Sequence, residues 1–249
     1  MDSYILKAVF DEDKAGALFS AFKDLQRVHC DRFAIDFQAD KRIKISTQSE
    51  AKTVTVMVDF VPEFLKDADL KADFKFGIIN VNELVSILNI FSSGFTWLVD
   101  SEKMELKTEE TELLFYGGNL KIVRNGPKGL DAQLPYLQKI EFSPEKYKSF
   151  IKALPVLEHG YAIFKGSSGQ NELNISITDK DIKSSSFTQK VKCDTLKDTF
   201  KVVVDKQLLM TIFASNSFAS MNLGICKDII HIEGSNAVYK TSFFLKTVV

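Results

Sequence analysis

The run FSPEKYKSFIKAL at Phe142–Leu154 repeats FDEDKAGALFSAF at Phe10–Phe22, 132 positions earlier. Aligned without gaps, the two share Phe10/Phe142, Asp13/Glu145, Lys14/Lys146, Leu18/Phe150, Phe19/Ile151, Ala21/Ala153 and Phe22/Leu154. Each reads as a strand end, a residue suited to cap a helix (Asp11, Ser143), and a short amphipathic helix. A second pair obeys a similar rule. FGIINVNELVSIL at Phe76–Leu88 matches the stretch Phe200–Phe213, 124 positions on, through Ile78/Val202, Ile79/Val203, Leu84/Leu208, Val85/Leu209 and Leu88/Ile212. The chain therefore carries four strand–helix openings in the order A, B, A′, B′, and an internal repeat of this kind decides architecture before local detail does.

Working outward from the openings, each is followed by alternating apolar and polar residues, the signature of half-buried antiparallel strands. In repeat A a strand at Tyr4–Phe10 precedes a helix over Asp13–Val28, and strands follow at Phe33–Phe37, Arg42–Thr47 and Thr53–Phe60. Val61–Asp73, interrupted by Pro62, reads as a connection with room for a helical turn. Repeat B opens at Phe74–Ile79, with a helix over Val81–Phe91 that stops at Ser92-Ser93-Gly94. Its strands are Phe95–Val99, Met104–Lys107 and Glu112–Tyr116. Repeat A′ runs from Lys139 through a helix at Pro144–Leu154 to strands at Tyr161–Lys165, Glu172–Thr178 and Ile182–Val191. A turn at Asp179–Asp181 separates the last two. Repeat B′ has a strand at Phe200–Val204, a helix at Lys206–Ala214, and strands at Ser217–Leu223, Ile229–Glu233 and Ala237–Lys246. Each repeat is β-α-β-β-β. Two repeats per domain give a sheet-rich domain with its helices on one face, and the class is α+β.

Between B and A′ lies GGNLKIVRNGPKGLDAQLPYLQ (Gly117–Gln138), which holds four of the chain's 12 glycines and two of its five prolines. That composition marks a linker. Leu120, Ile122, Val123, Leu130, Leu134 and Tyr136 suggest a segment laid on a surface rather than a loose tether. The expected division is an N-terminal domain at 1–117, a connector at 118–138 and a C-terminal domain at 139–249.

Composition narrows the function classes. Lys and Arg number 32 against 33 Asp and Glu, a formal net charge of −1, which argues against gripping nucleic acid by bulk charge but not against a locally basic surface. Cys30, Cys193 and Cys226 are scattered and odd in number, as in a reduced cytosolic protein. The N-terminal MDSYILKAVFDED has no basic stretch ahead of an apolar one, so no signal peptide is expected. No run approaches the about 18 apolar residues of a membrane span, and the expected location is the cytoplasm, that of a host cell if the chain is phage-encoded. There is no phosphate-binding glycine loop, GxSxG, HExxH or dinucleotide fingerprint. His29, His159 and His231 share no motif, and His29 beside Cys30 reads more simply as a helix end than as a thiol nucleophile. No catalytic residue, metal or cofactor is expected. The acidic stretch Asp100, Glu102, Glu105, Glu109, Glu110 and Glu112 reads as a solvated sheet edge, with a metal site as the sharper alternative.

The polar positions of the A and A′ helices carry Lys14, Lys23, Arg27, Lys146, Lys148 and Lys152. The B and B′ helices carry Asn82, Ser86, Asn89, Lys206, Ser215 and Asn216, with Glu83 and Asp205 against the trend. Singly, each is a solvated lysine or amide. Together, basic and small polar side chains on equivalent helices could face one phosphate backbone, weakly and without reading sequence. No aromatics interleave on that face, so base stacking is not expected.

This organisation resembles a DNA sliding clamp of the two-domain type found in tailed phages and, as proliferating cell nuclear antigen, in eukaryotes. The likeness rests on the duplicated β-α-β-β-β pair, a length near 250 residues, the central linker ending in LPY (Leu134–Tyr136), the terminal FFLK (Phe243–Lys246) and the absence of an active site. It implies a closed homotrimer, because two domains per chain need three chains for a six-domain ring. It places the edge Glu112–Tyr116 (Leu113, Leu114, Phe115, Tyr116) against a neighbour's Lys183–Val191 (Ser185, Phe187, Gln189). It turns Lys14, Lys23, Arg27, Lys146, Lys148, Lys152 and Lys206 towards duplex DNA, held topologically. Partners would be a DNA polymerase and a clamp loader, inserting a short peptide into an apolar pocket at Leu130, Leu134, Pro135, Tyr136, Phe244 and Val248. The plainer alternative is that these residues only cap the domain junction. Two other readings stay open: a small-ligand or lipid-binding α+β protein with a cavity lined by some of its 21 Phe, and an enzyme built around Asp100–Glu112.

Overall fold

A computed structural model describes residues 4–127, 129–130, 134–142, 145, 147–156, 160–178, 186–214, 218 and 220–248. The chain forms two compact units. Unit 1 is Met1–Pro127 with Ser235–Thr241, and unit 2 is Lys128–Gly234 with Ser242–Val249.

In unit 1 the elements are β1 (Leu6–Phe10), α1 (Glu12–Arg27), β2 (Phe33–Phe37), β3 (Ile43–Gln48), β4 (Val54–Phe60), a 3-10 turn at Pro62–Leu65, β5 (Asp69–Leu70), β6 (Phe74–Ile78), α2 (Val81–Ile90), β7 (Phe95–Val99), β8 (Lys103–Lys107) and β9 (Glu112–Tyr116). The two repeats trade their opening strands. β1 pairs antiparallel with β7 in the order β5-β1-β7-β8-β9, while β6 pairs with β2 beside β3 and β4. The start of the last strand completes this unit: Val61 N–H donates to the Val238 carbonyl (3.0 Å), and the Tyr239 ring lies 5.4 Å from Phe60. The connection at 61–73 does contain a helical turn, and it adds β5, which pairs with β1 and was not legible as a strand of two residues.

Unit 2 repeats the trade. Its elements are β10 (Gln138–Phe142), α3 (Lys148–Ala153), β11 (Tyr161–Gly166), β12 (Glu172–Thr178), β13 (Ser186–Lys192), β14 (Phe200–Asp205), α4 (Lys206–Phe213), β15 (Met221–Ile225), β16 (Ile229–Ser235) and β17 (Tyr239–Lys246), the last begun in unit 1. β10 pairs with β15, as β1 does with β7; β14 pairs with β11, as β6 does with β2. Because each repeat lends a strand to the other, neither completes its sheets alone.

Burial fixes the correspondence. Leu18 and Phe150, and Phe22 and Leu154, are all buried, so the 132-position offset holds through the A helices. For the B helices the sequence match slips by one. The capping residues Asn80 and Asp205 are 125 apart, and the fully buried partners are Leu84 and Leu209, whereas Leu208 is partly exposed. The helix starts follow capping chemistry: Asp11 accepts from Lys14 N–H (2.9 Å), Asn80 from Glu83 N–H (3.2 Å), and Asp205 from the N–H groups of Gln207 (2.7 Å) and Leu208 (3.4 Å). Asp205, an apparent exception to a basic face, is there as a cap. The predicted cap Ser143 and turn Asp179–Asp181 lie outside the described residues.

Rings fill the cores. Phe10 contacts Phe64, Phe95 and Trp97 at 4.9–5.4 Å between centroids, and its counterpart Phe142 stacks on Tyr147 (4.3 Å) and Phe213 (4.5 Å). Each such buried side chain contributes about 1.5–3 kcal/mol, an upper figure for a compact unfolded chain. Three cavities among the described residues, of about 660, 330 and 290 Å³, are lined mainly by polar and charged side chains.

Candidate nucleic-acid and partner interfaces

The helices differ in charge more than the sequence suggested. α1 carries Lys14, Lys23 and Arg27, all half-buried, against Glu12, Asp13 and Asp24. Arg27 is committed to the buried Asp24 at 3.3 Å, and Lys23 lies over the Phe19 ring at 5.2 Å. α2 is uncharged apart from Glu83, and Asn82 receives a hydrogen bond from Gln26 of α1 at 2.7 Å. α3 carries Lys148 and Lys152, both exposed, with no acidic residue. Lys206 corrects the expectation: it is only 3% exposed. It occupies the first turn of α4, as the fully buried Val81 does in α2, and its N–H reaches the Gly160 carbonyl (3.4 Å) as that of Val81 reaches Asp31 (3.2 Å). A core position set its place, not solvent. Lys146, Ser215 and Asn216 lie outside the described residues.

Both predicted edges are edges. β9 ends one sheet of unit 1 and β13 ends the sheet β13-β12-β11-β14 of unit 2, so each offers an unpaired row of backbone groups. On β9, Leu114 (40%) and Tyr116 (69%) are exposed and Leu113 is half-buried. Phe115 turns the other way: it is buried and faces Phe76 of its own unit, so its side chain is core. On β13, Phe187 and Gln189 are half-buried; Ser185 lies outside the described residues. The edges differ in sign, Glu112 and the turn residues Glu109 and Glu110 against Lys190 and Lys192.

The linker end is held down on one sheet face of unit 2. Lys139, Gly224 and His231 form a row across β10, β15 and β16. The Tyr136 ring lies on this row, over Gly224, where an added Cβ would come within 2.2 Å of the ring. Its phenol shares a 2.7 Å hydrogen bond with His231 Nδ1, and Lys139 Nζ sits 4.1 Å from the ring centroid. Burial against this sheet raises the Tyr136 phenol above its ordinary range. His231 in turn stacks on Phe244 at 4.6 Å, 3° from parallel. Of the predicted pocket residues, Leu130 and Leu134 are half-buried, Pro135 is exposed and Phe244 is buried beneath His231. Val248 goes elsewhere, its N–H bonding the Val203 carbonyl of β14 at 2.8 Å.

No protein-family model and no curated protein matches this sequence. Solved structures do match, over nearly the whole chain. Proliferating cellular nuclear antigen from Entamoeba histolytica superposes with a TM-score of 0.79 at 12% identity, covering 99% of this chain and 100% of that one. The PCNA of A. fulgidus, solved with the C-terminal region of FEN-1 bound, gives 0.79 at 13%, with 98% of each chain covered. The PCNA2–PCNA3 complex of Sulfolobus tokodaii gives 0.72 at 13%, over 97% and 98%. The fold is that of the DNA sliding clamps.

The acidic hairpin of this clamp fold has its own explanation. Glu105 is buried, with Lys103 and Lys107 Nζ at 3.0 and 2.8 Å. Hydrogen bonds from Lys107 first, then from the Tyr4 phenol, hold its carboxyl down at about 2. Among the described residues no three His, Cys, Asp or Glu side chains converge as metal ligands, and no helix is long and apolar enough to cross a membrane. Cys30 follows the end of α1, where His29 adopts φ 56° and Cys30 N–H closes on the Leu25 carbonyl (3.0 Å). Cys30 is buried, and burial pushes its thiol up to about 12. In the sequence His231 belongs to no motif and Gly224 has no assigned role. A glycine inside the strand MNLGI is the signal that could have found the close approach of Tyr136.

Proposed function

We propose that this protein is a DNA sliding clamp: a non-catalytic ring that encircles duplex DNA and tethers a DNA polymerase. The reading is carried by one observation, that the clamp fold accounts for essentially all of this chain and of the chains it matches. Three copies would close head to tail, β9 of one on β13 of the next, burying Leu114 and Tyr116 and bringing Glu112 towards Lys190 and Lys192. The domains would follow 1–117, 118–138 and 139–249. The DNA-facing set is Lys14, Lys23 and Arg27 on α1, Lys148 and Lys152 on α3, and Lys146 just before α3. Topological closure makes a net charge of −1 acceptable, because the ring need not hold DNA by affinity. A clamp loader would open the ring. Partner proteins would dock a short peptide with an apolar anchor beside Leu130, Leu134, Pro135 and Tyr136; the similar A. fulgidus protein was solved with the C-terminal region of FEN-1 bound.

Light scattering over a dilution series tests the ring. A mass of about 84 kDa, three times 28.1 kDa, is expected. A 28.1 kDa species at every concentration would remove the stable ring.

A further inference from the structure

The offset that relates the two units reaches further back than their helices. Tyr4 and Tyr136 are 132 residues apart, as are Lys7 and Lys139, and Ile5 N–H bonds Val99 O (2.9 Å) as Leu137 N–H bonds Ile225 O (2.7 Å). Strand register extends the match. In unit 1 the row Lys7–Leu98–Glu105 crosses β1, β7 and β8; in unit 2 the row Lys139–Gly224–His231 crosses β10, β15 and β16. In unit 2 the tyrosine's phenol bonds the third residue of the row, His231, at 2.7 Å; in unit 1 the phenol of Tyr4 is among the groups that favour the charged form of the third residue, Glu105. The device is duplicated, but its two ends have diverged. Glu105 is tied into an ionic cluster with Lys103 and Lys107. His231 instead lies between Tyr136 of the linker and Phe244 of β17, touching both. Gly224, where unit 1 has Leu98, leaves bare backbone for the Tyr136 ring to lie on.

We propose that His231 is the positioning residue of the partner-peptide pocket. Through the phenol of Tyr136 and the face of Phe244 it fixes the linker end, and so aims Leu134 and Pro135 at the apolar anchor of an incoming peptide. This rests on the peptide-pocket reading above. A side chain held in place before binding loses less entropy on binding, so release of Tyr136 weakens affinity without removing a contact surface.

The test uses the full chain, with a fluorescent peptide of the A. fulgidus FEN-1 C-terminal region as probe and amide exchange at Leu137 as a second readout. His231→Phe keeps the stack on Phe244 and removes the hydrogen bond; Tyr136→Phe removes one oxygen and cannot disturb packing. Each should weaken peptide binding about three- to ten-fold, the worth of one hydrogen bond, and quicken Leu137 exchange. The double variant should be no weaker than either single one, and His231→Gln should recover most of the affinity. Tyr4→Phe, the same change in unit 1, should leave the peptide affinity within about two-fold. If the wild type binds the peptide and His231→Phe binds it equally well, or if the two losses add, the proposal is wrong while the pocket stands. If the wild type binds no peptide, the pocket reading falls and the proposal with it. Unchanged Leu137 exchange in both single variants would overturn the positioning role by itself.

Discussion

Units 1 and 2 share a topology down to the hydrogen bonds that precede their first strands, yet they spend their charges differently. α1 is 16 residues long, capped by Asp11, and balances three cations with three acids. α3 is six residues long, has no side-chain cap among the described residues, and carries two exposed lysines and no acidic residue of its own. The edge strand of unit 1 is flanked by glutamates and that of unit 2 by lysines. Apolar periodicity and strand exchange fix the fold in both halves. The surface was left free to diverge, and the divergence is what a head-to-tail ring around a polyanion would use, since each interface joins unlike edges.

The largest effect should come from those edges. Replacing Leu114 and Tyr116 with Glu puts two charges where β9 offers apolar surface, and the solution mass should fall from about 84 kDa to the 28.1 kDa protomer. Reversing Lys190 and Lys192 to Glu should weaken assembly less, and more so at low salt, where like charges on the two edges repel over longer range. A trimer that survives both sets would mean the ring closes through other strands, and the difference between the edges would lose its meaning.

The helices come next. Lys148→Glu with Lys152→Glu should reduce polymerase processivity on primed circular DNA by about ten-fold, while Lys14→Glu with Lys23→Glu should cost about two- to three-fold, because α1 already carries its own counter-charges. Assembly should be intact in both. Equal losses would show that the balance of charge on α1 does not matter and that the two units face DNA alike.

How much of this was legible follows from what each signal depends on. Period and capping chemistry are local, so nearly every strand and all four helices could be read from the sequence, whereas the exchange of opening strands is a long-range pairing that the repeat alone does not reveal. Lys206 was misread because a lysine in a first helical turn looks solvated; only its equivalence to Val81, which needs the one-residue correction from Leu208 to Leu209, shows a core position. Phe115 was placed in the interface with its strand, but alternation sends every second side chain inwards. Tyr136 was read as pocket wall, while what holds it, His231 and Gly224, comes from strands some 90 residues away, and no local pattern joins them.

The caps offer a smaller and cleaner contrast. Asp205 serves two N–H groups of an eight-residue helix, whereas Asp11 serves one of a helix twice as long. Asp205→Ala and Asp11→Ala should each lose about 0.5–2 kcal/mol, with Asp205 towards the upper end. Thermal or urea unfolding of the two variants measures the order, and a larger loss at Asp11 would reverse it.

The smallest expected effect separates the two tyrosine rows. Glu105 titrates at about 2 when folded, well below the ordinary carboxylate value of 4.5, because Lys107, Tyr4 and Lys103 bind its charged form. A depressed folded value means the carboxylate's contribution is fully present above about pH 5 and drains away as pH falls towards 2. Glu105→Gln removes that contribution, so the acid limb of a stability-versus-pH curve should be flatter between about pH 5 and 2 in the variant. Unit 2 has a histidine, not a carboxylate, at the equivalent place. If Glu105→Gln matches the wild type across that window, the lysines hold Glu105 no more tightly than water does. The two rows would then differ in composition without differing in energy.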